Sequence, residues 1–196
     1  MGEPQIWLVR HGETAWSQAG RHTGRTDVPL TPRGRRQAEM LGRRIGSMRF
    51  ARVVTSPLSR ARETCRLSGQ GAGAEPSPDL VEWDYGHWEG RTSAEIRREV
   101  PGWTIWTGAV PGGETVEQVG ERADRVLERV RGAAGTVVLF AHGHVLRVLA
   151  ARWLGLPPRD GRYLGLDTAS LSSLGREQEQ PVLRSWNESY DLVATP

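Results

Sequence analysis

Residues 136–144, which read Thr-Val-Val-Leu-Phe-Ala-His-Gly-His, form the strongest strand pattern in the chain. Their first part is rich in β-branched and aromatic residues, which is typical of a buried strand. The run passes directly into His142 and Gly143, and an almost wholly apolar stretch from Val145 to Leu154 predicts a helix behind them. A buried strand followed at once by a buried helix favours an α/β fold.

The same arrangement occurs near the N-terminus. Residues 6–9, Ile-Trp-Leu-Val, form a short apolar run that ends in Arg-His-Gly-Glu at 10–13. Because ligands of open α/β sheets bind beyond the carboxyl ends of the strands, His11 and His142 are predicted to lie at one site. The glycine after each histidine lets backbone approach a ligand closely. The helix behind His142 would also offer N–H groups to an anion.

The remaining patterns alternate between strands and helices. Thr31 and Thr115 are predicted N-caps of two amphipathic helices. The other predicted elements are a strand at 52–55, a helix that starts at Ser56-Pro57, a loop over 68–78, and strands at 169–174 and 182–186. This alternation predicts an α/β sheet covered on both faces. The length and the lack of a repeat or linker predict one domain over residues 1–196.

All 26 basic residues are arginine, and the chain contains no lysine. Schiff-base chemistry, a Walker lysine and a kinase strand lysine are therefore excluded. Arginine stays charged, so it can clamp an anion but cannot act as a base. The net charge of +3 is modest and no long basic run occurs, so no nucleic-acid partner is expected.

Cys65 is the only cysteine, which excludes an intramolecular disulfide and fits a reducing compartment. No apolar run approaches the ~20 residues of a membrane span. The segment 1–5 lacks the basic and apolar parts of a signal peptide. A cytoplasmic protein without a membrane partner is therefore predicted, and a homo-oligomer is left open.

Several catalytic chemistries lack their motifs. There is no G-x-S-x-G, H-E-x-x-H or D-x-D, and Gly71 stands where a cysteine phosphatase based on Cys65 needs arginine. His142 and His144 could pair on a metal, but no acidic residue lies near them in the sequence, so no metal or cofactor is predicted. Histidine with arginine remains. A neutral imidazole can attack phosphorus, guanidiniums can neutralise the phosphoryl oxygens, and a carboxyl group can protonate the leaving oxygen.

Residues 8–14, Leu-Val-Arg-His-Gly-Glu-Thr, resemble the signature of the histidine phosphatase superfamily, which has the phosphoglycerate mutase-like fold. Further family-like blocks follow in the family's order: Thr23-Gly24, 30–34, 56–61 with Thr64, 82–86 with Gly90, 113–115 and 141–144. The resemblance spans residues 5–175. It implies a three-layer αβα sandwich with a mostly parallel central sheet.

The resemblance also implies roles for individual residues. His11 would be the nucleophile that becomes phosphohistidine, and Glu82 would protonate the leaving oxygen and later help to activate water. Arg10, Arg60 and His142 would surround the phosphoryl group. Three other carboxylates near these blocks stay open as the acid: Glu13, Asp84 and Glu89.

A second group of matches concerns the substrate. Ser17, Thr23, Gly24 and Tyr85 match positions that line the pocket in relatives, and Gly143 would lend a backbone N–H to the phosphate. A small phosphorylated substrate is thus the implied partner.

Two departures distinguish between branches of the family. The segment 91–112, predicted as a lid, is short and without lysine, and His144 stands where the mutases typically have asparagine. The sequence is similar to acid phosphatases and to sugar-bisphosphatases of the sedoheptulose type. Hydrolysis of a small phosphomonoester, such as a sugar phosphate or bisphosphate, is therefore expected. The alternatives are a cofactor-dependent phosphoglycerate mutase, a protein phosphatase and an inactive binding protein.

Overall fold

A six-stranded sheet forms the middle layer of the computed structural model, which describes residues 5–189; the predicted domain span of 1–196 extends beyond them at both ends. The strands are β1 (Ile6–Arg10), β2 (Arg52–Thr55), β3 (Glu75–Pro76), β4 (Val137–Ala141), β5 (Leu171–Glu177) and β6 (Gln180–Glu188). Their order across the sheet is β3-β2-β4-β1-β5-β6. The first four are parallel, and β5 runs antiparallel to both of its neighbours. The prediction of a mostly parallel sheet is confirmed.

Helices cover both faces of this sheet. They are α1 (Ala15–Gln18), α2 (Pro32–Ile45), α3 (Ser59–Leu67), α4 (Ser93–Glu99), α5 (Val116–Arg131) and α6 (Gly143–Trp153), with 3₁₀ turns at Pro78–Leu80, Gly86–Trp88 and Pro158–Tyr163. Side chains alternate along β1 and β4 because successive residues of a strand face opposite sides. Leu8 and Leu139 join the core with α5 and α6, whereas Val9 and Phe140 join the core with α2 and α3. The predicted three-layer αβα sandwich is confirmed.

Local signals placed two helix starts correctly. Thr31 and Thr115 are N-caps whose side chains accept backbone N–H groups in the first turns of α2 and α5. The helix predicted from Ser56 starts later, at Ser59, since Leu58 is extended and forms its N-cap. The loop predicted over 68–78 contains the two-residue edge strand β3, which is too short to give a sequence pattern.

The register of the parallel strands aligns their carboxyl ends. Arg10 of β1 lies opposite Ala141 of β4, and the N–H of His11 donates to the carbonyl of Ala141 at 3.0 Å. His142, one residue beyond β4, is therefore beside His11, with 5.1 Å between the ring centroids. The two histidines lie together at the carboxyl ends of the central strands β1 and β4, as the strand patterns predicted.

The segment 91–112 packs against the core that also contains α5 and α6. Its apolar residues Ile96, Trp103 and Ile105 are buried in the core. The indole N–H of Trp103 donates to the carbonyl of Ala109 at 2.9 Å. The role of the segment as a lid stays a prediction.

Leu139→Ala tests the central position of β4. Leu139 is fully buried, and a leucine-to-alanine change in a packed core costs about 2–5 kcal/mol. We expect the free energy of unfolding to fall by about that amount in chemical denaturation. The control is Val100→Ala, because Val100 is 41% exposed; a similar loss in both variants would contradict the assignment of Leu139 to the central core.

Candidate active site

A cavity of about 180 Å³ opens at the carboxyl edge of β1 and β4. Seven of the residues predicted for the site line it: Arg10, His11, Ser17, Thr23, Glu82, Tyr85 and Gly143. The other three lie outside the lining: Gly24, Arg60 and His142. A larger cavity of about 640 Å³ beside α3 contains none of the predicted residues. The chemistry of the lining residues, rather than the volume of the cavity, therefore identifies the candidate active site.

His11 is buried with a defined tautomer. Its Nδ1–H donates to the carbonyl of Gly12 at 2.7 Å, so the lone pair of the neutral ring is on Nε2. Burial, together with the charges of Arg60 and Arg10, lowers the pKa of His11 well below its usual range. The site therefore holds a neutral imidazole with a free nucleophilic nitrogen.

His142 has the opposite tautomer. The Nε–H of Arg60 donates to its Nδ1 at 3.1 Å, so the ring proton is on Nε2, which donates to Ser56 Oγ at 2.7 Å. Burial lowers the pKa of His142, and Arg60 lowers it further. His142 is thus a neutral hydrogen-bond donor beside His11.

Arg60 forms hydrogen bonds both to the loop before α2 and to His142. It is fully buried and donates to the carbonyls of Thr23 at 3.1 Å, Gly24 at 2.8 Å and Thr26 at 2.9 Å. With the bond to His142, these contacts use four of its five N–H groups. In this structure Arg60 therefore fixes the loop and the tautomer of His142, while Gly24 contributes its carbonyl.

Arg10 presents an unsatisfied donor. Its Nη1 donates to the carbonyl of Leu166, but its buried Nε has no hydrogen-bond partner. A buried N–H without an acceptor costs about 1–3 kcal/mol. An anion in the cavity would remove this cost, and a guanidinium can bind it through charge-assisted hydrogen bonds.

Glu82 is fixed by backbone N–H groups. Its Oε1 accepts from Trp83 and Val145, both at 2.9 Å, and its Oε2 accepts from His144 at 3.0 Å. The latter two belong to the first turn of α6, whose N-cap His142 makes no side-chain capping bond. The Glu82 carboxylate therefore occupies the anion site at the N-terminus of α6.

The other carboxylates are engaged elsewhere. Glu13 accepts from the hydroxyl of Thr31 at 2.8 Å. Asp84 pairs with Arg25 at 2.8 Å, and Glu89 accepts from a backbone N–H of the loop before α2. Of the four candidate acids, only Glu82 lines the cavity.

The predicted substrate-binding residues line different parts of the wall. Ser17 belongs to the capping box of α1 with Thr14, and the Thr23 hydroxyl lies 3.3 Å from the carbonyl of Arg21. Tyr85 is buried, and its hydroxyl lies 2.6 Å from Nδ1 of His144. Burial raises the pKa of Tyr85 well above its usual range, so its phenol is neutral.

Sequence reasoning assigned no role to six further lining residues: Gly20, Arg21, His22, His144, Arg147 and Leu166. His144 and Arg147 did carry a signal, since they are polar residues three apart in the mostly apolar first part of α6 and so share a helix face. The loop that holds His22 has no such periodicity. Burial lowers the pKa of His22 to about 4.

The pair His142 and His144 does not form a metal chelate. Both nitrogens of His142 are in hydrogen bonds, and Nδ1 of His144 bonds to Tyr85. Within residues 5–189, no group of three histidine, cysteine or acidic side chains is arranged to hold a metal ion. The absence of a metal cofactor stays a prediction.

The chain is similar in sequence to proteins that are named as phosphatases or as a probable phosphoglycerate mutase. The chain is 41% identical over 177 residues to an acid phosphatase of Mycobacterium tuberculosis, covering 88% of this chain and 87% of that protein. It is 36% identical over 186 residues to the sedoheptulose 1,7-bisphosphatase of Saccharomyces cerevisiae, with coverages of 78% and 68%. It is also 32% identical over 194 residues to a probable phosphoglycerate mutase, GpmB, of Salmonella choleraesuis, with coverages of 93% and 89%.

A similar solved structure and a matching family model support this relationship. The solved structure of the Rv3214 open reading frame of Mycobacterium tuberculosis matches with a TM-score of 0.89 and 38% identity, covering 95% of this chain and 98% of that one. The family model of the histidine phosphatase superfamily (branch 1) matches residues 6–189. This chain belongs to branch 1 of the histidine phosphatase superfamily.

Proposed function

We propose that this protein hydrolyses small phosphomonoesters, such as sugar phosphates or bisphosphates, without a metal and through a phosphohistidine on His11. One observation carries the proposal. The Nδ1–H of His11 is committed to the Gly12 carbonyl, which leaves Nε2 as a nucleophile in a cavity that also holds a cation and a carboxylate. Phosphatase names among the relatives agree with this reaction.

In the first step, Nε2 of His11 attacks phosphorus and the bond from phosphorus to the ester oxygen breaks. The phosphoryl oxygens lie against Arg10, whose buried Nε lacks an acceptor. His142, whose ring centroid lies 5.1 Å from that of His11, would have to exchange its Nε2–H bond to Ser56 for one to a phosphoryl oxygen. The Gly12 carbonyl supports the positive imidazolium that forms, because it already accepts the Nδ1–H.

Glu82 supplies and removes the proton. In its protonated form it donates to the leaving alkoxide, and as a carboxylate it then takes a proton from the water that attacks phosphohistidine. Its backbone hydrogen bonds hold it at the cavity wall. The second step releases inorganic phosphate and returns His11 to the neutral form.

Hydrolysis is favoured over mutase turnover by the phosphatase names of two relatives. A mutase must rebind a phosphorylated acid, which requires additional cations near the site. The segment 91–112 supplies none, because Arg97 and Arg98 do not line the cavity and Arg97 donates to the carbonyl of Trp103; Arg21 and Arg147 line the cavity from other parts of the chain. The mutase name of one relative keeps this activity as the alternative.

The size of the cavity supports a small substrate. Its volume of about 180 Å³ lies below the ~300–1,000 Å³ of typical ligand pockets. A phosphorylated protein segment would need more room than this cavity offers. An inactive binding protein would not need the nucleophile, acid and cation together.

A cytoplasmic location and self-association stay predictions. No helix between residues 5 and 189 combines the length and apolar character that crossing a membrane requires. Cys65 is a buried thiol, and burial raises its pKa to about 12, so it packs as a small apolar residue. A single reduced cysteine supports the proposed cytoplasmic location.

His11→Ala should abolish turnover while the fold is retained. Removing the nucleophile eliminates the covalent step, so we expect nitrophenyl phosphate hydrolysis to fall by several orders of magnitude. Rapid quench with ³²P-labelled substrate should label the parent enzyme but not this variant. His87→Ala is the matched control, since His87 is exposed and outside the cavity; unchanged hydrolysis by His11→Ala would contradict the proposal.

Glu82→Gln should slow the first step in a way that depends on the leaving group. General acid catalysis contributes roughly 10²–10⁴-fold, and a nitrophenolate needs a proton less than a sugar alkoxide does. We therefore expect a much larger loss of kcat/KM for a sugar phosphate than for nitrophenyl phosphate. Equal losses on the two substrates, with the fold intact by circular dichroism, would argue against Glu82 as the acid.

Gly143→Ala should disturb Arg10. A Cβ at position 143 would lie 3.3 Å from both Cζ and Nε of Arg10, so the guanidinium would have to shift by a few tenths of an ångström. Because charge-assisted hydrogen bonds contribute about 1.5–3 kcal/mol, kcat/KM should fall roughly tenfold to a hundredfold. Gly132→Ala is the control, since a Cβ there meets no atom within 4 Å. An unaffected Gly143→Ala enzyme would contradict the requirement for an accurately placed Arg10 guanidinium.

A further inference from the structure

The cavity of about 640 Å³ beside α3 has room for a ligand of its own. It lies at the ends of β2 and β3, where Thr55, Pro76 and the outer side of α3 line it. Its volume falls within the ~300–1,000 Å³ of typical ligand pockets and is more than three times that of the active-site cavity. The proposed phosphoryl transfer uses none of the residues that line it.

Arg62 and Arg66 give this cavity two cations on one face of α3. They are four residues apart, which places them on the same side of the helix and about 6 Å apart along its axis. Both side chains are exposed, and neither guanidinium has a hydrogen bond or an ion pair within residues 5–189. Two guanidiniums at this spacing can each bind a different phosphate of one ligand.

The carboxylates near these two cations are engaged elsewhere. Glu63 is the only acidic residue among the described residues that line the cavity, and it accepts from Nε of Arg35 on α2 at 2.8 Å. Glu75 of β3 pairs with Arg52 at 2.6 Å. Asp27 accepts the backbone N–H and the hydroxyl of the first residue of α3, both at 2.8 Å. The charges of the two cations are therefore available to an anionic ligand.

The helical layer around the cavity is strongly basic. The segment 32–73, which forms α2, β2 and α3, contains ten arginines and two acidic residues. The rest of the chain contains 16 arginines and 21 acidic residues. The segment thus carries a formal charge of +8 and the remainder −5. A charge distribution as uneven as this one draws anions to one side of the molecule.

Other parts of the cavity wall are apolar. Pro57, Ala74 and Pro76 contribute small apolar surfaces from the turn after β2 and from the region of β3, and the buried thiol of Cys65 packs beside them. An apolar wall favours a ligand group that loses little by leaving water. The cavity therefore fits a ligand that has several anionic groups at one end and a weakly polar ring system at the other.

We infer that this cavity binds a nucleoside polyphosphate, with linked phosphates on Arg62 and Arg66 and the nucleoside against Pro57, Ala74 and Pro76. The cavity shares no lining residue with the active-site cavity, so the nucleotide is a second ligand and not the substrate. The inference does not depend on the proposed phosphatase function.

The helix α3 connects this cavity with the active site. Arg60 donates to Nδ1 of His142 at 3.1 Å, and the Thr64 hydroxyl accepts the N–H of Gly12 at 3.0 Å. Arg62 and Arg66 belong to the same helix. A ligand that restrains α3 acts on both groups at once, so occupancy of the cavity is expected to change turnover at His11.

The binding test uses the His11→Ala chain, in which the proposed nucleophile cannot consume the ligand. ATP and inorganic tripolyphosphate are titrated separately by isothermal titration calorimetry without divalent cations. Arg62→Gln combined with Arg66→Gln should weaken ATP binding roughly tenfold or more, because each guanidinium contributes charge-assisted hydrogen bonds. ATP should bind more tightly than tripolyphosphate, and equal affinities would remove the nucleoside from the inference.

Arg36→Gln combined with Arg43→Gln is the matched control. Both arginines are exposed on α2 in the same basic layer but outside the cavity, so this variant loses the same charge and should keep its affinity for ATP. Equal losses in the two double variants would show general attraction to the basic layer and would overturn the inference. ATP binding that is absent, or that survives in full without Arg62 and Arg66, would also overturn it.

Turnover gives a separate readout in the chain with His11 intact. Nitrophenyl phosphate hydrolysis is measured with and without ATP, and the effect of ATP should vanish in the Arg62/Arg66 variant but persist in the Arg36/Arg43 variant. An effect that persists in the Arg62/Arg66 variant, or ATP binding that leaves turnover unchanged, would overturn the link through α3. A chain that binds ATP but hydrolyses no phosphate ester would contradict the phosphatase and uphold the nucleotide site.

Discussion

The parallel pairing of β1 with β4 is the constraint on which the site depends. With Arg10 opposite Ala141, the next residue of each strand must emerge at the same edge and at nearly the same height. Both strands are covered on both faces by the two helical layers, so a register slip would move each side chain into the wrong one of two closely packed cores. The spacing of His11 and His142 therefore follows from core packing rather than from any direct attraction between the rings.

The electrostatics of the site combine neutral histidines with permanent cations. Burial favours the uncharged form of an imidazole, and the nearby guanidiniums favour it further. Arginine cannot respond in the same way, since it keeps its proton at any relevant pH. Two tasks are therefore divided between residue types in this lysine-free chain. Histidines can form covalent bonds or transfer protons, whereas arginines supply a constant positive charge.

Strand and helix patterns predicted the sheet and the helices that cover it, because those features rest on local signals. The seven predicted lining residues came from the family-like blocks, and six others were not predicted. Apolar runs mark β1 and β4, and Thr31 and Thr115 mark two helix starts. The edge strand β3 is two residues long and includes Pro76, so it leaves no periodic pattern. Its place depends on pairing with β2, which is a property of the assembled sheet.

The hydrogen bonds between residues far apart in the sequence could not be predicted in the same way. Arg60 is identified from its family-like block, but its bonds to the carbonyls of residues 23, 24 and 26 depend on how the loop before α2 folds back. Likewise, the Glu82 contacts to α6 join positions more than 60 residues apart. The motifs predict which residues gather at the cavity, but they do not predict the hydrogen bonds that hold those residues in place.

The position of Glu82 gives the proposed acid a structural role as well. Its carboxylate is the cap of α6, the helix that contributes Gly143, His144 and Arg147 to the cavity. Selection for a stable helix would therefore preserve this glutamate even in a descendant that no longer turned over substrate. Within this fold, an intact acid position is weak evidence that a protein is an enzyme, and the better indicator is the histidine whose Nε2 serves no structural purpose.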